Sequence, residues 1–167
     1  EEVVVPVAEL TPLPDSMSFE EGAGFLVGAL TAHVSLHWRA HLAEGETLLV
    51  NGAAGGMGLA AVQVGKLMGA SVIGVARGDA RRAAVASHGA DHTIDPDAGV
   101  REQVLALTDG RGADVVFDPV GGDAFDQAVR CVAWGGRIIV AGFASGRIAQ
   151  LSTNMPLIKG FSVVGVR

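Results

Sequence analysis

The sequence predicts a single α/β domain built on a parallel sheet covered by helices on both faces. Three observations predict it. Short apolar runs alternate with stretches that repeat their apolar residues at helical spacing. These runs are continuous and rich in Val and Ile, as strands buried on both faces require. Strand–helix–strand repeats joined by right-handed crossovers then wind the sheet in both directions. The chain has 167 residues, 49% hydrophobic and 18% charged, which is enough for one core and excludes a disordered chain.

The elements follow in order. Residues 1–10 read as an extended strand, and Pro12, Pro14 and Asp15 mark a turn after it. Ser18 with Glu21 forms a capping box opening a helix over 19–42, with a break near Gly28. Residues 47–50 form a strand, 57–68 a helix stopped by Gly69, and 71–76 a second strand. A helix over 80–88 ends at Gly89, and 92–95 is a short third strand. Val100, Val104 and Leu107 share one helical face. A fourth strand spans 114–118, and Phe125, Ala128, Val129 and Val132 form another helical stripe. Residues 137–141 and 161–166 are the fifth and sixth strands.

Twelve basic against eighteen acidic side chains leave a net charge of −6, which disfavours general nucleic-acid binding. The single cysteine, Cys131, excludes an intramolecular disulfide and suggests a reducing compartment. No apolar run reaches membrane-spanning length, so a cytoplasmic protein is expected.

The chemistry is concentrated in LLVNGAAGGMGLAA at 48–61. An apolar strand enters a glycine-rich turn that opens a helix, with Ala53, Gly55 and Gly58 in an A-x-G-x-x-G pattern. Gly55 lets backbone approach a pyrophosphate, and Gly58 lets helix and strand pack closely. The helix start offers free amides and a partial positive charge to the anion. The pattern sits between a strand and a helix, as a dinucleotide fingerprint requires, so the sheet is assigned as a Rossmann fold with six strands ordered 3-2-1-4-5-6. An NAD site carries an acidic residue at the end of the second strand. Here that end has none and is followed by Arg77, Arg81 and Arg82. Guanidinium groups suit the 2′-phosphate of NADP, although a solvated basic helix start is the rival reading.

Several segments together resemble one family. GAAGGMGLAAVQVGKLMGA at 52–70, Ala29-Leu30-Thr31-Ala32-His33, GADHTID at 89–95, GRGADVVFDPVGGD at 110–123 and WGGRIIVAGFASG at 134–146 are similar to the quinone oxidoreductases. These are the zeta-crystallin-like branch of the medium-chain dehydrogenases/reductases. The resemblance implies an N-terminal GroES-like catalytic domain, whose tail residues 1–16 would be, followed by an NADP-binding domain over 17–167. It implies NADPH as cofactor and hydride transfer to a quinone or an α,β-unsaturated carbonyl. Thr31, Gly142 and Phe143 match positions near the nicotinamide, and Gly56 and Met57 the loop over the pyrophosphate. Arg81 falls where many members carry a lysine for the 2′-phosphate. His33 and Pro96 depart from the family's tyrosines. A homodimer joined through the sixth strand is also implied. The rival readings are the enoyl reductase domain of a polyketide synthase and a non-catalytic NADPH-binding module.

No catalytic residue can be named. His33, His37 and His41 share a spacing of four but lack a completing carboxylate or cysteine, so no metal site is expected. Cys131 is expected in the core, Trp134 is read as a packing residue, and Asp118 and Asp123 are read as structural residues of a turn.

Overall fold

Six strands pair in parallel in the order β3-β2-β1-β4-β5-β6 in the computed structural model, which describes residues 2–167. They are β1 (Thr47–Val50), β2 (Ser71–Val75), β3 (His92–Ile94), β4 (Ala113–Asp118), β5 (Val132–Val140) and β6 (Ser162–Gly165). The helices are α1 (Phe19–His33), α2 (Gly56–Leu67), α3 (Asp79–Ser87), α4 (Val100–Leu107), α5 (Gly122–Cys131) and α6 (Asn154–Lys159). The sequence-predicted strand order is the observed one.

The central strand explains the apolar runs. All four residues of β1 are buried, with Leu49 opposite Ile73 of β2 and Val116 of β4. Side chains alternate across the sheet. Leu48 and Val50 join Val72, Val115, Phe117 and Ile139 beneath α1 and α2, whereas Leu49 joins Ile73, Val116 and Ile138 beneath α4 and α5. Burying each such aliphatic side chain stabilises the fold by about 1.5–3 kcal/mol.

The helix boundaries follow local chemistry. Ser18 Oγ accepts from the Glu21 amide at 3.2 Å and Glu21 Oε2 from the Ser18 amide at 2.8 Å, completing the capping box. The helices before Gly69 and Gly89 stop there, with φ of 80° and 109°.

Several expectations are corrected. No strand forms over 2–10, where the chain is exposed and makes a single 3-10 turn, Val7–Glu9; Glu1 lies outside the described residues. Among the described residues no neighbouring strand is present to take its amides and carbonyls. The first helix is unbroken at Gly28, which faces α2, and changes instead after His33 into a π-helical segment, Val34–Arg39. There Ser35 Oγ donates to the Thr31 carbonyl at 2.6 Å while the Ala40 amide reaches back to Ser35 at 2.9 Å. β5 begins at Val132, five residues earlier than expected, and an irregularity between Ala113 and Val115 lets its start bulge. Trp134 sits in that bulge, 79% exposed, with its ring beside Gly160. Leu107, in the last turn of α4, is also exposed, although Val100 and Val104 are buried. α6 is short, contains Pro156 and lacked a readable apolar period. Cys131 is buried as expected, and burial pushes its thiol up to about 11.

Candidate coenzyme-binding site

The carboxyl ends of β1, β2 and β4 surround a groove of about 820 Å³. In this strand order the crossovers leave the sheet in opposite directions at β1 and β4, which opens a crevice there. Asn51 and Gly55 form its middle, Arg77, Arg81, Pro96 and Asp97 one end, and Gly121, Asp123 and Ser145 the other.

The β1–α2 turn is fastened to both neighbouring strands. The Asn51 amide donates to the Phe117 carbonyl at 3.0 Å and the Ala53 amide to Val75 at 2.9 Å. Gly55 precedes α2 and supplies no side-chain cap. The Leu59 amide donates to Gly55 at 2.8 Å, so the amides of Gly56, Met57 and Gly58 lie ahead of the first intrahelical bond, without acceptors among the described residues. A Cβ on Gly58 would lie 2.3 Å from the Gly52 oxygen and 2.7 Å from Ala53 Cα, so close packing of helix on turn demands glycine. Ala53, fully buried, replaces the usual first glycine. Opposite it β2 carries Gly74, where a Cβ would lie 3.2 Å from Ala53 Cβ and 2.4 Å from Val85 Cγ1. The alanine methyl is therefore accommodated by a glycine in the next strand.

Asp118 anchors the far side. Its fully buried carboxylate accepts from Asn51 Nδ2 at 3.2 Å and from the Val120 and Gly121 amides at 3.1 Å. Burial pushes this carboxyl up, and these donors pull against that rise. The carboxylate thereby fastens the turn after β4 to the turn after β1. Asp123, by contrast, lines the groove and pairs with Arg147 at 2.8 Å. The turn after β5 is tied down by the Ala144 and Ser145 amides, which donate to Pro119 and Val120 at 3.1 and 2.9 Å.

At the end of β2, three arginines face three aspartates. Arg77 Nε and Nη2 donate to Asp97 at 2.8 and 2.9 Å. Arg82 pairs with both Asp79 and Asp95. Among the described residues Arg81 pairs with no carboxylate. The amide of Asp97, helped by Arg82, holds the Asp95 carboxyl below its usual range.

Of the sequence-predicted site residues, Gly55, Arg77 and Arg81 line the groove. Ala53 and Gly58 are buried beneath it and shape the turn, while Thr31, Gly56, Met57, Gly142 and Phe143 stand outside its lining. The sequence pattern did not mark Asn51, Asp97, Gly121 or Ser145. The switch-point rule would have found Gly121, because it brings the turn after β4 against the turn after β1. The three histidines spaced by four do not share one helical face. His33 and His37 stack at 5.1 Å, but His41 has φ 48° and has left the helix. Among the described residues no three His, Cys, Asp or Glu side chains are grouped to hold a metal ion, and no helix is long and apolar enough to cross a membrane.

A doubly wound sheet with this turn at its switch point defines a Rossmann domain. Residues 56–167 match the family model described as zinc-binding dehydrogenase, and the chain belongs to that family, in the quinone oxidoreductase branch of the medium-chain dehydrogenases/reductases. It is 42% identical over 168 residues to quinone oxidoreductase-like protein 2 homolog of Nematostella vectensis, covering 99% of this chain and 46% of the relative. It is 36% identical to a quinone oxidoreductase of Pseudomonas aeruginosa, covering 94% of this chain and 49% of the relative. Among solved structures, the Thermus thermophilus quinone oxidoreductase, solved also in complex with NADPH, superposes with a TM-score of 0.87 at 34% identity, covering 98% of this chain and 52% of that one. The chain spans about half the length of the curated relatives it matches.

Proposed function

We propose that this chain is the NADPH-binding domain of a zinc-independent oxidoreductase that transfers hydride from NADPH to a quinone or an α,β-unsaturated carbonyl. The observation that carries the reading is the groove at the switch point, with free amides at the start of α2 and, at the end of β2, an Arg81 that pairs with no carboxylate among the described residues. The Escherichia coli and Thermus thermophilus quinone oxidoreductases, each solved with NADPH, support the choice of cofactor.

NADPH, when bound, supplies the hydride; the protein binds, orients and excludes water. The amides of Gly56, Met57 and Gly58 would hold the pyrophosphate, and Gly55, without a side chain, would let it approach. Ala53 and Gly58 keep that turn closed onto the sheet. Arg81, with Arg77, would receive the 2′-phosphate. Thr31, Gly142 and Phe143 would flank the nicotinamide, on the strength of the family resemblance. Residues 1–16 belong, in this proposal, to the GroES-like catalytic unit; residues 2–16 are exposed throughout. The protein would be cytoplasmic and a homodimer joined through β6, which among the described residues pairs with no strand but β5, its outward Gly165 carbonyl accepting from Arg39 Nε at 3.2 Å.

The test is NADPH oxidation by the protein against a panel of quinones, simple enones and enoyl thioesters, with calorimetric binding alongside. Turnover of a quinone or simple enone supports the reading. A second reading has its own observation: 38% identity over 138 residues to a polyketide synthase subunit of Mycobacterium tuberculosis. Turnover confined to enoyl thioesters would favour it. Binding without turnover would favour a non-catalytic module, and no binding of NADPH would overturn the proposal.

A further inference from the structure

The guanidinium of Arg77 is already engaged. Its two-pronged bond to Asp97, at 2.8 and 2.9 Å, is the geometry in which arginine grips a phosphate. The seat that a 2′-phosphate would take on this side chain is thus held by a carboxylate of the same chain. Asp97 is also held in place. It lies in the 3-10 turn Pro96–Ala98 after β3, and its amide donates to Asp95 Oδ1 at 3.0 Å, while Asp95 is pinned by Arg82. Both partners line the groove, and their side chains are 66% and 65% exposed. An ion pair that exposed is weak and exchangeable.

We propose that Asp97 is a specificity-determining residue, competing with the 2′-phosphate of NADPH for Arg77 and standing in for the acidic residue that β2 lacks. Its carboxylate repels a phosphate placed between Arg77 and Arg81 and can accept from a ribose 2′-hydroxyl. The proposal rests on the dinucleotide occupying the groove. It follows that the protein separates NADPH from NADH less sharply than two free arginines would allow, and that Asp97 sets the ratio.

The probes are 2′,5′-ADP and 5′-AMP, which differ only in the 2′-phosphate. Their dissociation constants are measured by calorimetry for the wild type, Asp97→Asn, Arg77→Ala and the double variant, with circular dichroism to check folding. Asp97→Asn should tighten 2′,5′-ADP about threefold to fivefold, the upper end of the scale of one exposed charge contact, and leave 5′-AMP unchanged or weaker. With Arg77 absent, the same substitution should gain at most about twofold. An unmoved ratio in Asp97→Asn, with 5′-AMP still bound, overturns the role of Asp97 alone. An equal gain in both backgrounds also overturns it, since bulk charge would then suffice. Failure of the wild type to bind either nucleotide removes the dinucleotide site itself, and this inference with it.

Discussion

Replacing Gly58 by alanine sets two effects of opposite sign against each other. Alanine is the better helix former, by up to about 1 kcal/mol in a helix interior and less in a first turn. Against that gain, the new Cβ would lie 2.3 Å from the Gly52 oxygen, 2.7 Å from Ala53 Cα and 2.9 Å from the Ala53 carbonyl carbon. All three are backbone atoms in a turn bonded to Phe117 and Val75, so none can swing aside. A carbon–oxygen contact needs about 3.3 Å, so α2 must lift by roughly 1 Å. Lifting it loosens the contact of Gly65 with Leu48 below. Overpacking of this kind costs about 1–3 kcal/mol and occasionally more, and the lost core contacts add to it. We expect a net loss of about 2–4 kcal/mol, which in a domain of this size lowers Tm by roughly 4–16 °C. Gly56→Ala is the control, since a Cβ there meets nothing within 4 Å. It should leave stability unchanged or raise it by up to about 1 kcal/mol. Urea unfolding followed by circular dichroism reads both, provided the m-values agree. Equal stability of the two variants would refute the reasoning, because the turn would then have yielded at no cost.

Three other predictions concern affinity, acid stability and assembly. Arg81→Ala should weaken NADPH by about 1–3 kcal/mol and spare NADH, and calorimetry showing equal losses for both would contradict its assignment to the 2′-phosphate. Glu46 is held below the usual carboxylate range chiefly by Arg137, which donates to it at 2.8 and 2.7 Å. A depressed folded value means stability that is present above pH about 4.5 and lost as pH falls through the folded value. Glu46→Gln should therefore cost about 1–2 kcal/mol at pH 7 and flatten the acid limb of the stability profile; an unchanged acid limb would assign it to other carboxylates. The Val166 amide donates inward to Val140 at 3.2 Å, so the amides of Val163 and Gly165 face the outer edge of β6. Val163→Pro should weaken the proposed dimer by sedimentation while leaving β5–β6 pairing intact, and an unchanged dissociation constant would place the interface elsewhere.

The parallel sheet and its order were legible because each strand is buried on both faces and spells its burial in Val, Ile and Leu. The β1–α2 turn was legible because Gly55 and Gly58 are demanded by backbone proximity, a constraint local to a few residues. What was not legible depended on distant partners. Arg77 looked free because Asp97, twenty positions on, is brought beside it only when β3 pairs with β2. The strand assigned to the N-terminus failed for the converse reason: Val3, Val4 and Val5 carry strand propensity, but among the described residues no neighbour in the sheet receives it. The exposure of Trp134 was not legible either, because it follows from a bulge that the pairing of β5 with β4 sets.

The corner occupied by Ala53, Gly74 and Val85 bears on how this domain tolerates mutation. The Ala53 methyl and the Val85 side chain fill the space above the bare Cα of Gly74, one fixed volume shared by the first turn, the second strand and the third helix. A methyl added at Gly74 collides with Val85 first, at 2.4 Å, and with Ala53 second, at 3.2 Å. Scanned singly, Gly74 would therefore register as intolerant of any side chain. Trimming Val85 to alanine and Ala53 to glycine should make Gly74→Ala acceptable, although each trimming alone leaves a void and is unfavourable. The intolerance belongs to the trio rather than to any one member. Neutral drift through this corner requires at least two coupled steps, and an alanine at the first fingerprint position is an inheritance that single substitutions do not readily undo.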